Sequence, residues 1–431
     1  RVRVRSAVAS LQADGPLLDL PGGPLKLAVG GQARRESLRY GGSTLSTTLT
    51  PVPLSSAFVS RETLAAFAEL RAPLVGDANG RRGLRRLEFS LAGRVERFDD
   101  VGATANPKAG LLWAPLDGLT VRATYGRSFR APALREVHDR RIHTQSTLPL
   151  ADGSRVRVML LQGGNPDLEP ETATSWTVGF DLRPQGLPGL TLSATAFDIR
   201  FHNRIGRPVQ QNAISALYDP TLASFVRRIS PGTNAEDLAY LQSLIDDPAF
   251  NPARGEFPPS DYVAVVDNRY VNTTTLRVRG LDVQAGYRFA VRGDPVALGL
   301  NATWMADYRE QITPTSGTTE RVGRAGYPVA LRGRATADWT HGALGAGVAV
   351  NYIDSYRDAL GTRIHAQTTV DLQLRWAAER GWAKDWALLL TLRNALDADP
   401  PFYDNASGVG YDPTNADPIG RFASVQLTRR W

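Results

Sequence analysis

The sequence predicts an all-β protein: an antiparallel transmembrane β-barrel of which about 14–15 strands are present. Three observations predict it. Apolar and polar residues alternate with period two from one end of the chain to the other. The connectors between these runs are short and long by turns, as in outer-membrane barrels. Aromatic residues gather on the apolar faces beside the short connectors, where a membrane-interface girdle belongs.

Composition agrees. The chain has 431 residues and a formal net charge of +7. No stretch approaches the roughly 18–20 continuous apolar residues of a membrane helix. The longest, from Trp386 to Leu392, is strand-sized. In a barrel the lipid-facing and lumen-facing residues average out, so a moderate composition is expected. There are no cysteines, which excludes thiolate zinc sites, thiol nucleophiles and disulfides. The arginines are scattered rather than clustered in a nucleic-acid motif, so no nucleic-acid partner is expected.

The first residue is Arg1, and Arg1 to Ala9 already reads as the middle of a strand. Without a signal peptide, the chain is expected to be a fragment whose N-terminal portion is missing. Alternating runs follow near 25–35, 63–73, 86–97 and 106–115. Leu119 to Gly126 is a further strand, broken by Ser128, Phe129, Arg130 and Pro132. A long polar loop ends in Asn165, Pro166, Glu169, Pro170 and Glu171, and a strand returns from Thr172 to Arg183. The run 189–203 shifts phase near Ala196 and Phe197, which predicts a bulge. Runs at 281–291, 296–308, 331–339, 344–353, 365–376, 385–393 and 421–431 complete about 15 strands. The cleanest, His365 to Trp376, puts Val370, Leu372, Leu374 and Trp376 on one face and Asp371, Gln373 and Arg375 on the other.

The expected girdle comprises Trp113, Phe180, Phe289, Trp339, Trp376, Trp386 and Trp431. Arg94, Asp282, Arg288, Arg332, Asp338, Asp371 and Arg375 are expected to face the lumen. In the loop 204–276, Asn234 can cap a helix from Ala235 to Asp246, with Leu238, Leu241 and Leu244 packing it onto neighbouring loops.

No enzyme, cofactor or metal site is expected. His138 and His143 form only a loose pair, better read as solvated. Asp99-Asp100 and Asp246-Asp247 are adjacent and so point apart on a strand. The prolines at 132, 166 and 170 fix the chain at strand ends. Arg130, Glu169 and Glu171 could then pair across the barrel mouth, a structural role preferred over direct ligand contact.

These junction residues resemble the paired signature in the C-terminal barrel of TonB-dependent outer-membrane receptors. The likeness runs along the chain: Asn106 to Pro115 before the Ser128 motif, Asn272 with Arg279 to Asp282 after the longest loop, Leu392 to Asp397 with Pro400 and Pro401, and a closing strand that ends on Trp431. The resemblance implies a Gram-negative outer-membrane receptor for TonB-dependent active uptake of a scarce ligand, such as an iron-siderophore, cobalamin or an oligosaccharide. It implies a 22-stranded parent barrel, so that about seven strands lie outside this chain. It also implies an N-terminal plug domain and a TonB box that contacts the TonB complex, both upstream. The terminal strand with Trp431 would be read by the barrel-assembly machinery, and the outer apolar face would meet outer-membrane lipid. A passive porin-like channel, which lacks a plug, is the alternative. With both terminal strands expected to run the same way, the wall should show an open seam or a strained closure, with residues 1–20 poorly packed.

Overall fold

A computed structural model describes residues 2–44, 52–213, 215–251, 257–378, 381, 383–404 and 408–429. Its wall strands are β1 (Val2–Leu20), β2 (Gly23–Thr44), β3 (Val52–Val75), β4 (Arg86–Phe98), β5 (Gly102–Leu116), β6 (Leu119–Arg130), β7 (Glu171–Leu182) and β8 (Leu190–Gly206). They continue as β9 (Val271–Val291), β10 (Asp294–Gln311), β11 (Leu331–His341), β12 (Leu344–Ile353), β13 (Gln367–Ala377), β14 (Trp386–Arg393) and β15 (Phe422–Arg429). These fifteen pair in chain order as one antiparallel sheet, the count the alternation predicts.

Register turns the period-two pattern into two surfaces, because residues directly opposite on neighbouring strands share a face. Leu190, Tyr287, Leu298, Ala337, Val348, Leu372, Leu392 and Ala423 form one unbroken apolar row from β8 to β15. On the opposite face, Thr120, Asp181, Ser193, Gln284, Asn301, Arg334, Asn351 and Thr369 form an all-polar row from β6 to β13. A water-soluble sheet would bury the first row, but many of its side chains are exposed, as are Val425 and Leu427 on β15. A contiguous exposed apolar band of this size marks a membrane surface. Among the described residues no helix is long and apolar enough to cross a membrane.

Trp113, Phe180, Phe289, Trp339, Trp376 and Trp386 lie at strand ends beside the short turns, on the apolar face. Trp431 falls outside the described residues. Arg429, which interrupts the apolar row, stands opposite Trp386 with its guanidinium 5.4 Å from that ring.

Short turns and long loops alternate, with two departures. Residues 99–101 make a tight turn at the long-loop end, and 76–85 a longer one at the short-turn end. The turns at 117–118 and 183–189 are locked together. Arg183 N–H donates to the Gly118 carbonyl at 2.6 Å. Gly118 has φ of 81°, and a Cβ there would lie 2.2 Å from the Arg183 carbonyl oxygen. Gly118→Ala is therefore expected to cost at least 1–3 kcal/mol from backbone strain alone, roughly. Heat-modifiable electrophoretic mobility reads the assembled fraction, and wild-type assembly of this variant would refute the turn lock.

No bulge occurs at Ala196 and Phe197: β8 pairs regularly with β7 and β9 through that stretch. The phase change has another cause. Ala196, Val178 and Leu281 form an apolar outer row, whereas the rows above it place Asp198 opposite Arg279 and Arg200 opposite Arg277. The same face passes from lipid to water. Phe197 points the other way, with its ring over Gly280, where a Cβ would come within 2.5 Å. The true irregularity lies across the ladder, at Arg279/Gly280 on β9.

The long loops carry more structure than their polarity predicts. The segment 131–170 contains a hairpin, Ile142–Pro149 with Arg155–Gln162. Tyr262–Asp267, from the 207–270 loop, joins that hairpin in parallel, and Val226–Arg228 completes a four-stranded sheet. One face packs Val158, Leu160, Leu222, Ala264 and Val266, the other Met159, Tyr262, Val265 and Leu241. Leu241 belongs to the expected helix, which runs Ala235–Ile245 with Asn234 accepting from Glu236 and Asp237 N–H. Leu241 and Leu244 pack as predicted, and Leu238 stays exposed.

Among the described residues β1 pairs only with β2 and β15 only with β14, so the seam is open. Both edge strands run toward the short-turn end, and almost every side chain of β1 is exposed.

Candidate functional site

The junction motifs meet at the upper end of one ladder, where Ser128 faces Ala173, Phe129 faces Thr172 and Arg130 faces Glu171. Arg130 grips Glu171 bidentately, Nε to Oε2 at 2.7 Å and Nη2 to Oε1 at 2.8 Å, and reaches Glu136 through Nη1 at 2.9 Å. Glu136 in turn accepts from Ala133 N–H at 2.7 Å, which closes the first turn of the helix Leu134–His138. Glu171 accepts from Ile205 N–H of β8 at 2.6 Å.

Glu169 does not join Arg130. Its carboxylate accepts from Asn203 Nδ2 at 2.7 Å, because Asn203 turns to a φ of 55° at the top of β8. The Glu169 N–H donates to Asn272 Oδ1, and Asn272 Nδ2 returns bonds to the Glu169 and Asn203 carbonyls, all at 2.8 Å. Asn165 donates from Nδ2 to the Tyr270 carbonyl at 3.0 Å and accepts from Asp167 N–H at 3.0 Å across Pro166. Pro170 precedes the first residue of β7. Arg130, Glu171 and Asn272 thus tie β6, β7, β8 and β9 together.

Sequence reasoning missed a buried charged member. Arg61 of β3 is 3% exposed. It forks onto Asp100 at 2.8 and 2.6 Å and donates from Nη1 to the carbonyl of the fully buried Pro132 at 2.6 Å. Its guanidinium lies 5.9 Å from the Phe98 ring, which packs 5.4 Å from Phe129. The available signal was Asp99-Asp100. Asp99 accepts from Glu62 N–H, while Asp100 holds Arg61.

Below the mouth, a polar cavity of about 1030 Å³ opens against the inner face of β9–β14. Arg334 and Asn351 both donate to Asp371, at 3.1 and 3.0 Å. Asp282 accepts from Thr303 at 2.7 Å, and Arg332 donates to Asn415 at 3.2 Å. Asp338, with Arg375 and Arg288, shares this face by alternation. Arg94, further round the wall, holds Glu96 at 2.8 Å and Gln32 at 3.0 Å. All seven predicted lumen charges stand on the polar face.

The loops above it carry a second knot. Asp412 is 1% exposed and accepts from Gly326 and Thr414 N–H at 3.0 Å and from Asn415 Nδ2 at 2.8 Å. Burial, then the adjacent Asp412 carboxylate, pushes the Tyr356 phenol well above its usual range. His138 and His143 share no site. The His138 carbonyl accepts from Tyr40, whereas His143 is buried rather than solvated, with its ring facing the Leu244 carbonyl. Among the described residues no cluster of three His, Asp or Glu could hold a metal.

A family profile described as "TonB dependent receptor-like, beta-barrel" matches residues 5–395. The chain resembles the ferric enterobactin receptor of Pseudomonas aeruginosa at 16% identity and a TM-score of 0.64, covering 99% of this chain and 54% of that one. It resembles a siderophore receptor of Acinetobacter baumannii at 14% identity and a TM-score of 0.64, covering 99% and 55%. A copper transporter matches at 15% identity and a TM-score of 0.56, covering 99% and 57%. The chain thus spans about half the length of the solved proteins it matches. No curated protein sequence matches it.

Proposed function

Since the chain belongs to the TonB-dependent receptor β-barrel family, an outer-membrane family, we propose that it is the barrel portion of a receptor that actively imports a scarce ligand. The ligand class we favour is a metal chelate, an iron-siderophore above all, which is the cargo named for the barrels it resembles. The plug domain and the contact with the TonB complex belong to the part of the receptor beyond this chain's length. One observation carries the reading: a polar inner face with paired charges, bordered by residues 414–420 of one long loop, in a barrel whose other long loops carry packed cores of their own. Ordered loops of that kind suit capture of a specific ligand better than passive diffusion.

Within that receptor, the motif residues from Ser128 to Pro132 and from Asn165 to Glu171 act as a clamp at the mouth. Arg130, Asn165, Glu169 and Glu171 are used up in bonds that tie the strand ends together, and the prolines in strand-end geometry, which supports a structural role over ligand contact. The lumen charges around Asp371 line the path between mouth and periplasm. Trp431 serves as the signal read by the barrel-assembly machinery.

The test is uptake of a panel of radiolabelled ferric siderophores by cells carrying the full-length protein, with and without TonB. Accumulation of at least one chelate that stops on loss of TonB or on collapse of the proton gradient is expected. Uptake that continues unchanged without TonB would leave a passive channel instead.

A further inference from the structure

The outer face above the apolar band carries an arginine cluster that the uptake reading does not use. Arg127, Thr174, Arg200, Arg277 and Arg309 stand directly opposite one another across β6 to β10. At about 4.8 Å per strand the row spans roughly 19 Å. Like charges directly opposite on a sheet are destabilising, yet Arg200 faces Arg277 and Arg277 faces Arg309.

Three carboxylates answer them only in part. Asp198 holds Arg277 at 2.6 Å and touches Arg200 at 3.7 Å. Asp307 pairs with Arg279 and with Arg309, the latter at 2.7 Å, and Glu320 lies 3.2 Å from Arg309. Five guanidinium groups thus face three carboxylates. Among the described residues Arg127 makes no ion pair and is exposed, and Arg200 is half exposed with a single long contact.

Location selects the counter-charge. The row beneath holds Tyr125 and Trp176, whose rings lie 4.5 Å apart with their planes tilted by 44°, and below these the face is apolar. An aromatic pair between an apolar band and a charged row is the signature of a membrane interface. The groups that meet the wall at that level are the headgroups of the outer leaflet. Guanidinium groups recognise phosphate bidentately.

We propose that this row is a binding site for the phosphate groups of an outer-leaflet glycolipid, seated against the outside of the barrel. Tyr125 and Trp176 support the glycolipid's saccharide–acyl junction, and Arg127 and Arg200 supply the free donors. The site is separate from the mouth and from the lumen, so it stands whether or not the uptake reading does.

The test uses the full-length receptor in detergent with three probes: bis-phosphorylated lipid A, its phosphate-free counterpart and inorganic phosphate. The variant R127Q/R200Q leaves the Asp198–Arg277 and Asp307–Arg309 pairs in place. Each basic side chain near an anionic surface contributes roughly a fivefold affinity gain, so about a 25-fold loss is expected for the pair. Wild-type protein should bind the phosphate-free lipid about as weakly as the double variant binds lipid A. R127Q alone removes no ion pair among the described residues and should lose about fivefold. Equal binding of lipid A by wild-type and variant, or of both lipids by wild-type, would overturn the proposal. Displacement of the lipid by millimolar inorganic phosphate would also overturn it, by making the site one for a free anion.

Discussion

Val348→Arg should prevent much of the protein from assembling, whereas Gln373→Arg should be tolerated. Val348 sits midway along β12 in the apolar row, flanked by Ala337 and Leu372. An arginine near the bilayer midplane of a barrel costs about 2–4 kcal/mol, which is roughly a 30- to 900-fold change in a folding equilibrium. Gln373 is opposite Gly347 on the polar face, within the cavity wall and near Asp338. A new guanidinium there stays in water and gains a carboxylate neighbour. Urea titration of the full-length protein refolded into lipid vesicles measures both. Equal costs for the two substitutions would mean that the assignment of faces is wrong.

Arg61→Ala is expected to loosen the mouth. Arg61 has its side chain 4% exposed, while its partner Asp100 is 28% exposed. Removing one member of a buried ion pair typically costs about 3–5 kcal/mol, because the other charge is left without a partner. The partial exposure of Asp100 places this case toward the lower end. The Pro132 carbonyl also loses its donor. Pro132 begins the 131–170 loop, so the damage should appear there first. Limited proteolysis of intact cells should cut that loop in the variant and spare it in the wild type. Arg61→Lys keeps the charge but not the fork, and should fall between them. Protection of the loop equal to wild type in Arg61→Ala would rule the clamp out.

The wall was legible because its physics is local. A strand with lipid on one side and water on the other must alternate, so the count of fifteen and the lumen placement of Asp371 or Arg332 could be read from spacing alone. Phase was less informative where the environment changes along a strand. At Asp198 and Arg200 the outer face leaves the apolar band, and the change of residue type imitates a bulge. The mouth was half legible. Arg130 and Glu171 are register partners, so pairing the two strands brings them together. Glu169 was misassigned because its partner depends on the left-handed turn at Asn203, a conformation that Asn tolerates but does not announce. Arg61 lies 39 residues from Asp100 in sequence, and nothing in an alternating strand singles out one arginine as buried. The loop sheet was invisible for a related reason. The run from Arg155 to Gln162 alternates only at its start, and its apolar end is buried on both sides by residues about 100 positions away.

That loop sheet bears on how the loops of such barrels can be exchanged. Tyr262–Asp267 supplies the parallel partner of Arg155–Gln162, so neither loop has a complete fold without the other. A loop taken alone from a related barrel would leave Met159 and Val158 facing water on one side, or Val265 and Val266 on the other. The unit that can be exchanged without loss of packing is therefore the pair of loops. Recombination that exchanges both can move an intact loop sheet between barrels, and a crossover falling between β7 and β9 splits it.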